Sequence, residues 1–324
     1  MRKYIFEAGL NVFTSFKTLA TVESLEALSK KDKHRYHVYA ILSYDQAFFD
    51  TEKTKTTEKG IMVGLFTMSG GKKEYELPLW PIPPDLDYSK IELEISFPPT
   101  KMSIRIKDEA FLSQHPEVVF TEWNIIAQNL FQYEAGRLMD KQEFEVLYIG
   151  QAYGKDGNRT AFKRLEQHST LQKILIKYRN DHPDKHIYIL LLEIKEQLAM
   201  SFDGHSEEYI KTEEESDKHM EQVCCNLPEE NQVINITEAA LINYFKPEYN
   251  VNLVDNFPNE KHKGYKQYYD LDYNAISVEL DLEFDHTPII QLYTSTNRIN
   301  SSFDYIQYQL FNNNERSNMY EIFT

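Results

Sequence analysis

The sequence predicts an α+β protein, with a middle region mixing strand and helix between two β-rich flanks. Three observations lead there. Residues 91–97 and 102–106 alternate apolar and polar side chains with the period of two that half-buried strands require. Six prolines, Pro78, Pro81, Pro83, Pro84, Pro98 and Pro99, punctuate the same stretch and exclude continuous helix. Residues 237–245 instead place Ala240, Leu241, Tyr244 and Phe245 on one helical face.

In chain order, region 1–115 reads as a β-rich N-terminal domain, for substrate or partner recognition. Within it Phe16, Leu19, Val22, Leu25 and Leu28 recur every third residue, predicting a helix or two over 13–32. Strand-like runs follow at 61–68, 75–80, 91–97 and 102–106. Region 116–255 opens with helical character over 121–142, then a strand over 145–149 that enters a loop at Gly150. Helical spacing over 160–178 is open to a break at Ser169 and Thr170, where a new N-cap fits. A buried strand is predicted over 186–194, and a helix over 237–245 that Pro247 terminates. Region 256–324 carries Tyr265, Tyr268 and Tyr269, then strand-like runs at 275–284 and 288–293. It is either a separate β unit or one packed on the N-terminal domain.

Composition bounds the function classes. At 41% hydrophobic and 27% charged, the 324 residues are ordinary for a globular protein with one or more real cores. Glu7 interrupts any signal-peptide core, and the apolar run 187–192 is far too short to span a bilayer. Cys224 and Cys225 are adjacent, so neither a disulfide framework nor a cysteine-rich zinc site is available. The expectation is a cytoplasmic protein without a membrane partner. A net charge of -16 opposes nucleic-acid binding at first sight, but half of it sits in 201–232, with ten acidic residues and two lysines. Residues 151–186 hold eight Lys and Arg against four Asp and Glu. A phosphate backbone responds to such a local field rather than to total charge.

The chemistry-bearing residues fall in three blocks. Tyr148-Ile149-Gly150 brings a tyrosine off a strand into a glycine turn. Fourteen residues after Gly150 stands Arg164, and four later His168. Helical spacing puts that guanidinium fork, suited to phosphate, beside an imidazole that moves protons near neutral pH. Glu238 then sits in the first turn of the predicted helix, where a single carboxylate can hold a Mg²⁺ that keeps its waters. The segment runs on through Pro247 to Asn250.

These blocks resemble the GIY-YIG nuclease superfamily. Tyr148-Ile149-Gly150 matches the second half of the family motif, Arg164 and His168 match its helix block, and 238–250 matches the repair-nuclease pattern of Glu, Leu-Ile and Pro-x-Tyr-Asn. The resemblance covers about 110 residues. It implies a small domain over 116–255, a short central sheet flanked by helices, with 201–232 as an acidic insertion. It implies a metal-dependent endonuclease hydrolysing DNA phosphodiesters: Glu238 binding Mg²⁺ or Mn²⁺, Arg164 stabilising the phosphate, and Tyr148 or His168 handling the attacking water. Gly150 and Asn250 would support the site, and Lys155 and Arg159, in a lengthened loop, would contact substrate. The partner expected is double-stranded DNA, with a second copy or another protein meeting the flanks. Restriction, defence or mobile-element roles fit such flanks. The alternative is a degenerate member that binds nucleic acid or protein without cutting.

One family element is missing from its usual place. No Gly-Ile-Tyr stands ten to twelve residues before Tyr148, and the nearest upstream tyrosine, Tyr133, lies fifteen back in a helical context. The role of the first tyrosine, a proposed general base, is therefore vacant or displaced.

Overall fold

The structure, a computed structural model, describes residues 1–152, 161–166, 169–204, 206–285, 288–301, 304–312 and 315–321. Its strands are β1 (Glu7–Thr21), β2 (Val38–Asp45), β3 (Phe48–Thr57), β4 (Gly60–Thr67), β5 (Lys73–Glu76), β6 (Ile91–Ile95), β7 (Lys101–Ile106), β8 (Glu122–Ile126), β9 (Lys141–Gln151), β10 (Lys185–Ser201), β11 (Ala275–Glu279), β12 (Ile289–Tyr293), β13 (Arg298–Ile299) and β14 (Tyr305–Gln309).

Eight of these strands form one mixed sheet in the order β13-β12-β9-β2-β10-β1-β11-β14. This overturns the expected small domain with a short central sheet. Strands from the beginning, middle and end of the chain share a single sheet. The pairs β1–β11 and β9–β12 are parallel and join residues as far apart as Gly9 with Ala275 and Lys141 with Ile289. Local periodicity shows that a segment is a strand but not which distant segment it pairs with, so no pattern within 116–255 could reveal these partners. Strands β3–β5 and β6–β8 make two small antiparallel sheets.

A second expectation fails locally. Residues 13–21 are not helical, because β1 extends through Thr21; only the one-turn segment Val22–Ser24 and the helix Leu25–Lys31 follow. The β1–β10 register shifts between Thr14 and Phe16. The three-residue spacing runs across three elements: Phe16 and Leu19 lie in β1, Val22 in the one-turn segment, and Leu25 and Leu28 in the helix.

The large sheet is covered on both faces. On one lies the helix Glu230–Phe245, which buries Val233, Ile234, Ile236, Ala240, Leu241 and Phe245 against Val38, Ala40, Val146 and Leu190. On the other, Phe162, Leu165, Leu171 and Ile174 pack on Tyr39, Ile41, Leu147 and Ile189. A third core, around Phe49, Leu65, Met102 and Phe131, lies among β3–β8 and the helix Ala127–Leu138. Gln128 of that helix joins it to the large sheet: its amide oxygen accepts from the Ala47 N–H at 2.8 Å, and its amide nitrogen bonds the buried Tyr188 hydroxyl. The two chain ends meet where Arg316 forms an ion pair with Glu7, both side chains almost fully buried. Among the described residues, no helix is long and apolar enough to cross a membrane.

Candidate active site

The centre of the sheet is three antiparallel strands, β9-β2-β10. Beyond Glu145, β9 leaves its β12 partner, whose pairing ends at Tyr293 with Glu145. The 146–151 half of β9 is therefore open on that side, and its main-chain groups need other partners. Asn250 supplies them. Its Oδ1 accepts from the Ile149 N–H and its Nδ2 donates to the Ile149 carbonyl, both at 2.9 Å, while the Tyr249 N–H donates to the Leu147 carbonyl at 3.1 Å. Pro247 ends the preceding helix after Lys246 turns left-handed, at φ 48°, and so delivers Asn250 to this edge.

Tyr148 and Glu238 reach the same edge. The Gln151 amide nitrogen donates to Glu238 Oε2 at 2.8 Å and to Asn235 Oδ1 at 2.9 Å, which ties the helix Glu230–Phe245 to the end of β9. Burial pushes the Glu238 carboxyl up to about 7; the Gln151 hydrogen bonds and the Arg164 charge oppose that shift without cancelling it. Arg164 comes from the short helix Ala161–Glu166, anchored by buried Ala161, Phe162 and Leu165.

The fourth member, Tyr39, is not marked out by any motif in the sequence. It lies on β2 directly across from Gly150 and is completely buried. Its ring centroid is 6.2 Å from that of Tyr148 at an interplanar angle of 31°. Burial first, then Tyr148 and Glu238, push its hydroxyl well above the ordinary phenol range, and the Arg164 charge works in the opposite direction. Burial likewise raises Tyr148, with Glu238 adding to the shift and Arg164 reducing it. Tyr39, Tyr148, Arg164 and Glu238 thus lie near enough for their charges to act on one another. Gly150 makes the arrangement sterically feasible: a β-carbon there would stand 2.6 Å from the Tyr39 hydroxyl and 2.8 Å from the Tyr148 ring.

Of the residues singled out from sequence, Tyr148, Gly150, Arg164, Glu238 and Asn250 are thus brought together. His168, Lys155 and Arg159 lie outside the described residues. Comparison with protein-family models, with curated proteins and with solved structures gives no match for this chain.

Tyr39 and Gln151 went unnoticed for different reasons. Tyr39 precedes Tyr148 by 109 positions because β3–β8 and the helix Ala127–Leu138 are interposed, so a search near Tyr148 misses it. Its signal was the apolar run Val38-Tyr39-Ala40-Ile41-Leu42, a buried strand carrying one phenol. Gln151 directly follows the Tyr148-Ile149-Gly150 triplet and had no feature of its own.

The residues suit a divalent ion of the Mg²⁺ or Mn²⁺ kind. Glu238 is a carboxylate whose charge is disfavoured by its surroundings, as it would be where a cation is meant to compensate it. Among the described residues no three His, Cys, Asp or Glu side chains gather into a ligand set. The two phenols, raised by burial, stay protonated at neutral pH and can both donate to and accept from a water molecule.

Proposed function

We propose that this protein is a metal-dependent endonuclease that hydrolyses DNA phosphodiester bonds through a GIY-YIG-like catalytic centre. The observation that carries the reading is the meeting of Tyr39 and Tyr148 over Gly150, with the Arg164 and Glu238 charges near enough to act on both phenols. Tyr39 takes the place of the first tyrosine, delivered from an adjacent antiparallel strand instead of from just upstream.

In this reading Glu238 holds the divalent ion, and Gln151 fixes the carboxylate through its hydrogen bond. The ion, when bound, polarises the scissile phosphate and stabilises the leaving oxygen. Arg164 offsets charge developing on the phosphoryl oxygens. Tyr39 and Tyr148 orient the attacking water; a phenol held protonated acts by positioning, and the Arg164 charge lowers its cost of releasing a proton. Asn250 keeps the strand edge in register with the helix bearing Glu238. Duplex DNA as substrate, a cytoplasmic site of action, and recognition of substrate or a protein partner by the flanking regions belong to the same proposal.

The test is cleavage of plasmid and oligonucleotide DNA and RNA with Mg²⁺ or Mn²⁺ by wild type, Tyr39→Phe and Glu238→Ala. Wild type should cut DNA; Glu238→Ala should lose at least about a hundredfold, and Tyr39→Phe about ten- to a hundredfold. Wild type and Glu238→Ala cutting equally would sink the assignment. Metal-independent binding without cleavage would favour a binding module on the same scaffold.

A further inference from the structure

Beside the candidate active site opens a cleft of about 350 Å³ between the segment leading into β2, the middle of β10 and the first turn of the helix Glu230–Phe245. Arg35, His37, Glu193, Lys195, Glu196 and Glu230 line it. His37 precedes Val38, the β2 partner of Gln151, so the cleft adjoins the residue that holds Glu238.

The His37 side chain is only 10% exposed. Its Nδ1 accepts the Ile194 N–H at 3.1 Å, which puts the ring proton on Nε2. Burial lowers the His37 pKa, so the ring stays neutral and keeps this tautomer. Nε2 is itself buried and, among the described residues, has no hydrogen-bond partner; the Glu230 Oε1 stands at 3.5 Å, too far for a good hydrogen bond. A donor fixed in orientation and left unmet points to an acceptor that arrives from outside.

Arg35 holds the Glu230 carboxylate from its two terminal nitrogens, Nη1 to Oε1 and Nη2 to Oε2, each at 3.1 Å. This fork is the geometry in which arginine binds phosphate. Both side chains are about half exposed, at 52% and 43%, so the pair is weak and exchangeable. The helix also begins at Glu230 without a side-chain cap, leaving its positive end to the first turn that lines the cleft.

We propose that this cleft is a phosphate subsite for the nucleic-acid strand. Arg35 and the His37 Nε2–H hold one backbone phosphate, and the Glu230 carboxylate occupies its place when no strand is bound. The inference rests on the nuclease reading and adds where the substrate is gripped. Glu230 and Glu238 are eight residues apart on one helix, about 12 Å along its axis. That is on the order of three to four nucleotides at the rise of a single strand. Glu193, paired with His34 at 3.1 Å, and the neighbouring Glu196 keep the cleft from attracting anions by field alone. The subsite therefore works by direct contact.

The experiment is fluorescence anisotropy of a labelled mixed-sequence DNA duplex of about 20 base pairs, in EDTA so that nothing is cut, across a KCl series. Arg35→Ala should weaken binding about five- to tenfold and reduce the slope of log affinity against log salt by about one. His37→Ala should weaken it too, and Glu230→Gln should tighten it about three- to tenfold by removing the internal competitor. Circular dichroism checks that each variant folds. Glu230→Gln binding no tighter than wild type, or Arg35→Ala retaining the full salt slope, overturns the subsite alone if wild type cleaves in a Glu238-dependent way. A wild type that neither binds nor cleaves DNA overturns both readings.

Discussion

The Tyr39 hydroxyl occupies the space over Gly150 that a β-carbon would need, 2.6 Å from where that atom would lie. Two strands carry these residues in direct register, so neither can withdraw without unpairing β2 from β9. Gly150→Ala should therefore displace Tyr39, Tyr148 or both. We expect a loss of about 1–3 kcal/mol in stability from overpacking and a fall in cleavage rate of more than about tenfold, since misplacement by a fraction of an ångström suffices. Urea denaturation and single-turnover cleavage measure the two effects separately. A variant like wild type in both would mean that the hydroxyl is not where the structure places it.

Asn250 stands in for a neighbouring strand by satisfying both main-chain groups of Ile149. Asn250→Ala leaves an N–H and a carbonyl without those partners, at a cost of about 1–3 kcal/mol. Asn250→Asp keeps an acceptor for the Ile149 N–H but at neutral pH sets a carboxylate oxygen against the Ile149 carbonyl in place of a donor, so it should be no more stable than alanine. The ranking of denaturation midpoints is the check. If alanine and aspartate were equal to wild type, the edge would be held by Tyr249 alone.

The pieces of the site were legible in sequence where chemistry and spacing coincide locally. Tyr148 with Gly150, Arg164 on a helix, and the 238–250 block each announce themselves within a few turns of chain. The runs at 102–106 and 186–194, seen as strands from alternation and apolarity, lie in β7 and β10. What could not be read is every relation that depends on distant pairing. Tyr39 becomes a neighbour of Tyr148 only because β2 and β9 pair across the interposed β3–β8 region. Likewise β11 and β12 insert beside β1 and β9 from the far end of the chain, which turned an expected short sheet into a strand order no local pattern encodes. The spacing from Phe16 to Leu28 misled for the opposite reason, since it crosses from β1 into the helix Leu25–Lys31 and imitates a single period.

Glu238 makes stability and metal binding depend on pH in opposite ways. Its carboxyl is raised from the ordinary value of 4.5 to about 7, so between those values the folded protein retains a proton that the unfolded chain releases. The resulting contribution is present in full below the lower value and is lost as pH rises through about 7; it is on the order of 3 kcal/mol. Glu238→Gln should abolish this slope and be more stable than wild type at pH 8 without metal. Conversely, Mn²⁺ must displace the proton, so its affinity should rise about tenfold per unit below pH 7 and level off above it. Thermal denaturation in EDTA and Mn²⁺ titration across pH 5.5–8.5, a window spanning about a unit and a half on either side of the shifted value, measure both. A Mn²⁺ affinity independent of pH would exclude Glu238 as its ligand.

Arg316 ties the end of the chain to its beginning. It forms a buried ion pair with Glu7, whose Oε1 also accepts the Lys3 N–H at 2.7 Å, and a partly exposed one with Asp272 at 2.7 Å, which in turn accepts from the Tyr4 hydroxyl at 2.8 Å. Arg316→Leu strands the Glu7 carboxylate, whose side chain has no exposure at all. Removing one partner of such a pair costs about 3–5 kcal/mol. Removing both, as Arg316→Leu with Glu7→Gln, eliminates the orphaned charge and should recover much of that loss. The double variant should therefore be more stable than the Arg316→Leu single variant, by a margin that a double-mutant cycle in urea quantifies. Because the network lies at the β1–β11 side of the sheet, strands away from β9, cleavage by the folded double variant should match wild type. Additive losses in the cycle would mean that Glu7 and Arg316 do not interact in solution, and the closure of the chain ends would then rest on other contacts, such as Ser317 N–H to the Met1 carbonyl at 2.8 Å and Arg2 Nη1 to the Asn318 carbonyl at 2.9 Å.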